Sequence, residues 1–218
     1  MDKKEFKFLR EKMVSAHLVS RGIRYPKVLN AFKTVPRELF VPDNLKEYAY
    51  QDRPLSIGSG QTISQPYIVA LMTELLDVEI EDKILEVGTG SGYQAAILLS
   101  IGAKVYGVEK HSNLAQKAEE KIKALRYAIK IKIGDGTLGW DRFAPYDKII
   151  VTAAAPKLPK SLLEQLNVGG KLVIPVGSRF SQELIKVEKR KKDEFSSKAV
   201  CGCVFVPLIG EEGWDESL

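Results

Sequence analysis

The densest chemistry in the chain lies in Leu85-Glu86-Val87-Gly88-Thr89-Gly90-Ser91-Gly92-Tyr93. An apolar run carrying a carboxylate gives way to three alternating glycines, which let a backbone approach a ligand through dihedrals that a side chain would forbid. A turn of this kind between strand and helix sits beyond the carboxyl end of the strand, where open α/β sheets bind ligands. A dinucleotide enzyme would use Gly-x-Gly-x-x-Gly to bring a pyrophosphate onto the helix N-terminus. Here Gly92 is fifth and Tyr93 sixth, which argues against a nicotinamide enzyme. Glu109 ends the next apolar run, where a carboxylate can accept both hydroxyls of a ribose. Gly134-Asp135-Gly136 follows the third run and places a carboxylate where an adenine amino group could donate to it. The alternative is a tight turn at Gly88, Gly90 and Gly92 with Glu109 and Asp135 merely solvated. It leaves the coincidence of three such loops unexplained.

A second polar stretch, Ile57-Gly58-Ser59-Gly60-Gln61-Thr62-Ile63-Ser64-Gln65-Pro66, reads as a glycine-containing loop leading into a helix. Ser64 is a good N-cap for that helix, with Pro66 in its first turn. A serine fixed there is also preorganised at the edge of any pocket the loop borders. His17 and His111 are the only histidines and neither falls in these loops, so chemistry here runs without imidazole. Cys201 and Cys203 lie one residue apart and share a strand face, a poor arrangement for joining to each other and too few ligands for zinc. They are expected to be buried free thiols.

These residues need a scaffold, and the periodicity supplies one. Helix and loop dominate the first eighty residues: Phe8, Leu9, Met13 and Leu18 form one apolar stripe, and Val28, Leu29, Phe32 and Val35 another. Pro36, Pro42 and Pro54 predict irregular chain with short helices over 37–55. Ile68, Leu71, Met72, Leu75 and Leu76 follow the i, i+3, i+4 spacing of an amphipathic helix. From Lys83 onward, short apolar runs at 84–87, 105–109, 129–133, 148–152 and 171–174 alternate with helices, which implies a parallel sheet covered on both faces. Segments 183–188 and 201–206 flank a charged run and read as a hairpin, adding an antiparallel edge. The expected organisation is an N-terminal helical and substrate-loop region, 1–80, packed on a core of residues 81–218 in one compact domain.

The bulk properties narrow the class. A chain of 218 residues with 44% hydrophobic and 28% charged residues is an ordinary globular protein. It has no apolar run near the roughly 18 residues of a membrane span, and Met1-Asp2-Lys3-Lys4-Glu5 lacks the apolar stretch of a secretory leader. The net charge of +5 is spread among acids, and the densest basic run, 186–192, contains Glu188, as a solvated hairpin tip does. The expectation is a cytoplasmic monomer with neither nucleic acid nor membrane as partner.

Together, the three glycine-and-carboxylate loops resemble the S-adenosylmethionine site of class I methyltransferases. The loop ending in Thr62-Ile63-Ser64 looks like the signature loop of protein-L-isoaspartate O-methyltransferases. Further stretches match that family in order: Gly134-Asp135-Gly136, Ala144-Pro145-Tyr146-Asp147 and Thr152-Ala153-Ala154-Ala155-Pro156, then Gly169 to Gly177 and Phe205-Val206-Pro207-Leu208. The resemblance runs from about Leu18 to Trp214. It implies a Rossmann-like α/β fold with a mostly parallel doubly wound sheet, an antiparallel edge strand and N-terminal helices. It implies Ser64 as the catalytic residue, Thr62 and Ile63 beside it, and cofactor contacts from Glu86, Gly88, Glu109, Asp135 and Gly136. Thr89 and Gly90 join them as members of the glycine loop. Ser59 and Gln61 from the loop, with Val206 and Pro207, are expected to flank the peptide. Two positions depart from some relatives: Ile209 stands where they have threonine, and Tyr67 where they have histidine.

The resemblance implies methyl transfer to the α-carboxylate of isoaspartyl residues in damaged proteins, giving an ester that cyclises to a succinimide. Two rivals share the fold. One is a class I methyltransferase acting on RNA or a small molecule, although neither an Asn-Pro-Pro-Tyr-type motif nor a Pro-Cys pair is present. The other is a cofactor-binding protein without activity.

Overall fold

The computed structural model describes residues 1–216. The chain opens with α1 (Lys3–Met13), whose start is closed reciprocally: the Asp2 carboxylate accepts the Lys4 and Glu5 N–H groups, and Glu5 accepts the Asp2 N–H. A π-helical turn (Val14–Leu18) and a 3-10 turn (Val19–Arg21) continue it, until Gly22 at φ 93° turns the chain away. Of the first apolar stripe, Met13 and Leu18 are buried, whereas Phe8 faces solvent. After α2 (Pro26–Thr34) come two 3-10 turns, Arg37–Leu39 and Asp43–Tyr48, in the proline-punctuated segment.

The stretch that reads as a loop is a hairpin, β1 (Leu55–Gly58) paired with β2 (Gln61–Ile63). Its turn residues Ser59 and Gly60 both have positive φ, 53° and 68°. A two-residue turn of the primed type requires this, because its twist matches that of the flanking strands. Then α3 (Pro66–Leu76) leads to the sheet.

Five parallel strands follow, β3 (Lys83–Val87), β4 (Lys104–Glu109), β5 (Lys130–Ile133), β6 (Tyr146–Val151) and β7 (Leu166–Gly177). The connecting helices are α4 (Tyr93–Ile101), α5 (Ser112–Ala124) and α6 (Lys160–Glu164). The predicted hairpin, β8 (Gln182–Lys191) and β9 (Glu194–Cys203), adds two antiparallel strands, giving the order β5-β4-β3-β6-β7-β8-β9. The order reverses between β3 and β6, so the turns after these strands border the crevice where such sheets bind ligands.

Alternation along the strands divides the core. Ile84, Ile150 and Val173 face a cluster shared with Phe32 of α2, Met72 of α3 and Ile97 of α4. Leu85, Ile149 and Leu172 face the opposite cluster, which includes Leu162 of α6. Both faces are covered, which is why the central strands read as nearly unbroken apolar runs. Glu86 follows the parity of Ile84 and is buried completely. Cys201 and Cys203 are half-buried free thiols rather than fully buried ones, because β9 is the edge of the sheet.

Candidate functional site

The turn after β3 is fixed from two sides. Gly88, at φ 89°, donates its N–H to the Val108 carbonyl at 2.8 Å, and its own carbonyl accepts the Thr152 hydroxyl at 2.6 Å. A Cβ at this position would lie 2.7 Å from Thr152 Oγ1, so glycine is required by both dihedral and space. From β4, Glu109 reaches across: Oε2 accepts the Gly90 N–H at 2.7 Å and Oε1 the His111 N–H at 2.9 Å. Each oxygen keeps a further lone pair, so Glu109 is oriented by the backbone while still able to accept a ligand hydroxyl.

Beneath this turn Glu86 is fully buried, and neither its oxygens nor the buried Thr89 hydroxyl makes a well-formed hydrogen bond; the nearby Ala95 N–H and Thr89 hydroxyl only partly offset the cost of burying the Glu86 charge. Burial first, and then the neighbouring Glu109, push the Glu86 carboxyl well above its ordinary range. A buried polar group without a partner costs roughly 1–3 kcal/mol. Three such oxygens at the floor of one cleft therefore suit a ligand that brings donors or positive charge. S-adenosylmethionine carries an ammonium group, a sulfonium and a ribose diol, so the residues present fit it.

This cofactor cavity adjoins a second one, and Thr62, Ser64, Thr152 and Val206 line both. The second cavity extends outward along Tyr67, Ile68 and the end of β9. Ser64 does not cap α3, contrary to the sequence expectation. The cap residue is Gln65, because Pro66 occupies the first helical position and the residue before a proline is driven to extended backbone. Gln65 gives its side-chain amide to Asp52, and Asp52 Oδ1 in turn accepts the Tyr67 N–H at 3.2 Å, closing the helix start from elsewhere in the chain. The Ser64 hydroxyl thus makes no hydrogen bond among the described residues.

The Ser64 backbone is nevertheless held. Arg37, fully buried, donates through Nη2 to the Ser64 carbonyl and through Nε to the Ala49 carbonyl, both at 2.8 Å. Its guanidinium lies 4.8 Å from the Tyr93 ring centroid. Burial lowers its pKa to about 10, which leaves it cationic at neutral pH. On the other wall, the chain after β9 returns to the sheet: Ala154 N–H donates to the Val206 carbonyl and Leu208 N–H to the Ala154 carbonyl, each at 2.8 Å. That pairing sets Val206 beside the turn after β6.

The structure brings most of the expected residues together. Thr62, Ile63, Glu86, Gly88 and Thr89 line the cofactor cavity, as do Gly90, Glu109 and Gly136. Asp135 is not among its lining residues: Oδ1 accepts the Thr137 N–H and hydroxyl, and Oδ2 the Glu211 N–H. Gln61 and Pro207 line the cofactor cavity rather than the outer one, and Val206 lines both. Ser59 lines neither; its hydroxyl accepts from Asn113 at 3.1 Å. His111 does line the cofactor cavity, contrary to the expectation that no histidine would, because it follows Glu109 on the same edge of the sheet. Thr152, which lines both cavities, and Arg37 and Asp52, which brace the Ser64 segment and the start of α3, are parts of the site that the sequence reading does not single out. Thr152 ends an apolar run on the ligand edge of the sheet, a usable signal, whereas nothing local marks Arg37 or Asp52.

Comparison with known proteins places this geometry. The family model described as protein-L-isoaspartate(D-aspartate) O-methyltransferase (PCMT) matches residues 9–213. A protein-L-isoaspartate O-methyltransferase 2 of Pelobacter propionicus is 54% identical over 209 residues, covering 95% of this chain and 93% of that one. A solved protein-L-isoaspartate O-methyltransferase superposes with a TM-score of 0.85 at 28% identity, over 94% of this chain and 67% of that one. A Plasmodium falciparum structure described as a putative enzyme of the same kind, in complex with S-adenosyl-L-homocysteine, gives a TM-score of 0.80 at 26% identity, covering 92% and 98% of the two chains.

Proposed function

The chain belongs to the protein-L-isoaspartate(D-aspartate) O-methyltransferase family, and from that premise we propose that its cleft transfers a methyl group from S-adenosylmethionine to the α-carboxylate of L-isoaspartyl residues in damaged peptides and proteins. The methyl ester cyclises to a succinimide, which begins repair. The observation that carries this reading is the extent of the family match, residues 9–213, which takes in both cavities and their junction. RNA or a small molecule as acceptor is not favoured by any of these relatives.

S-adenosylmethionine, when bound, supplies a methyl group on a sulfonium that is already electrophilic. The acceptor carboxylate has an unperturbed pKa of about 3 to 4 and is ionised at neutral pH, so no strong base is needed. What the protein must supply is position and removal of water. Dehydrating a carboxylate is costly unless donors replace the water. We assign that task to Ser64, whose hydroxyl is unengaged and whose backbone Arg37 holds. Glu109 orients the ribose, Thr62 and Ile63 close over the cofactor, and Glu86 and Thr89 receive the donors of its amino-acid end. Gly88 and Gly90 give backbone access. Gly136, steadied by Asp135 next to it, borders the adenine. Val206, which lines both cavities, faces the peptide; Gln61 and Pro207 border the cofactor instead, and Ser59 shapes the hairpin turn.

In this reading residues 1–80 form the acceptor-side region on a core of residues 81–218, and the chain acts as a cytoplasmic monomer on proteins rather than nucleic acid. Among the described residues, no helix is long and apolar enough to cross a membrane. The test is methyl transfer from labelled S-adenosylmethionine to a short isoaspartyl peptide and to its normal aspartyl twin. Base-labile label on the isoaspartyl peptide alone is expected. Cofactor binding with transfer to neither would move the acceptor elsewhere.

A further inference from the structure

The outer cavity carries one ionised side chain. Among the described residues lining it, the others are apolar, hydroxyl, thiol or amide groups or glycine, and only Arg21 is charged. Arg21 is also firmly held. Its Nη1 donates to Asp52 Oδ2 at 2.7 Å, and its guanidinium carbon stands 3.6 Å from the Tyr67 ring centroid. Asp52 Oδ2 also accepts the Gln65 amide, Oδ1 accepts the Tyr67 N–H, and the side chain is only 15% exposed, so Asp52 serves as a holder rather than as a negative wall of the groove. The remaining N–H groups of Arg21 have no partner among the described residues. Cys201 of β9 lines the same cavity, and Arg21 partly offsets the rise that burial gives its thiol pKa.

A planar fork of donors, stacked on a ring and pinned through one nitrogen, is preorganised for a carboxylate and loses little side-chain freedom on binding it. That carboxylate is not the methyl acceptor, which must sit where the two cavities meet, because Arg21 lines the outer cavity alone. We propose that Arg21 receives a second carboxylate of the substrate, an Asp or Glu side chain or the C-terminal carboxylate close to the isoaspartyl unit, and so directs the enzyme toward damage in acidic surroundings. The proposal rests on the reading of the cleft as an isoaspartyl methyltransferase and adds the chemistry of the neighbouring subsite.

The test uses matched isoaspartyl peptides with Glu or Gln at each flanking position, each with a free and an amidated C-terminus, at low salt. For the wild type, KM is expected to be about tenfold lower for the favoured Glu peptide than for its Gln twin, with kcat similar. The difference should shrink as salt rises. In Arg21→Gln, which removes the charge, the two KM values should converge, and in Arg21→Lys part of the difference should return. A difference confined to the free and amidated pair would assign the carboxylate to the peptide terminus and supports the proposal equally. Equal wild-type KM for all these peptides overturns it and needs no variant to fold. Discrimination that persists in Arg21→Gln, or an equal loss on every peptide, also overturns it. Methyl transfer to none of the isoaspartyl peptides removes the underlying reading instead, and the proposal with it.

Discussion

The cofactor cavity takes its walls mainly from the turns after three neighbouring parallel strands, β4, β3 and β6, and engages a ligand largely through backbone and buried acceptors. The outer cavity takes its walls from the N-terminal turns, the hairpin β1–β2, the start of α3 and the edge strand β9. In the first, Glu86 and Thr89 are buried without well-formed hydrogen bonds. In the second, the polar groups support one another, Arg21 on Asp52, Asp52 on Tyr67 and Arg37 on the Ser64 carbonyl. In the first half buried acceptors await a ligand, whereas in the second a braced frame presents the Ser64 hydroxyl and the open edge of Arg21 to the peptide. Changes in the first should therefore act on cofactor affinity, and changes in the second on turnover and peptide recognition.

The largest effect is expected from Gly88→Val. Its φ of 89° and the 2.7 Å approach of Thr152 Oγ1 forbid a side chain without moving the turn. Calorimetry with S-adenosylhomocysteine should show affinity lower by about 100-fold or more. Retained affinity would mean that the turn does not cradle the ligand. Ser64→Ala should do the reverse, lowering kcat by roughly 30-fold to 100-fold while cofactor Kd stays within about twofold, since one donor to the acceptor is removed. Equal losses in both quantities, or none in kcat, would dissolve the contrast between the halves. Arg37→Lys comes next. A lysine ammonium keeps the charge but cannot span the Ala49 and Ser64 carbonyls with a planar fork. A fall of about tenfold in kcat, with cofactor affinity kept, is expected from a positioning residue. A drop in Tm with kcat of the folded fraction unchanged would reduce Arg37 to a core support.

The same contrast explains which parts are legible in the sequence. The cofactor half is written in contiguous stretches, so glycine spacing and the carboxylates near the ends of β3 and β4 are enough to locate it. The strands are readable from their apolar runs, although β7 begins at Leu166, five residues before the expected Lys171, because Gly169 and Gly170 interrupt the pattern. The outer half depends on contacts between distant segments. Asp52 closes the N-terminus of α3, and a local reading gives that task to Ser64. Arg37 reaches Ser64 across 27 positions of sequence. The hairpin is hidden because Ser59, a residue with no strong preference for positive φ, supplies half of its turn. His111 can be placed by noting that the residues after Glu109 must share the ligand edge of the sheet.

The smallest expected effect tests the cofactor half most directly. Glu86 has its carboxyl pKa raised in the folded protein, by burial first and by Glu109 second, above the ordinary 4.5. As pH rises past that value the unfolded chain releases its proton first, so the folded state binds more protons and stability falls until the folded pKa is passed. The contribution is therefore complete below the ordinary carboxyl range and lost above it. Gln at this position cannot ionise and is nearly the same shape. Without cofactor, Glu86→Gln should match the wild type in Tm at about pH 4 and exceed it by a few degrees at about pH 8. The same substitution should weaken S-adenosylmethionine binding several-fold, since the neutral amide offers less to a cationic ligand. A variant more stable and less able to bind is what a buried acceptor kept for a ligand predicts. A Tm difference that does not change with pH would show that Glu86 is already matched inside the protein, and the distinction between a half prepared for its ligand and a half braced on itself would fail there.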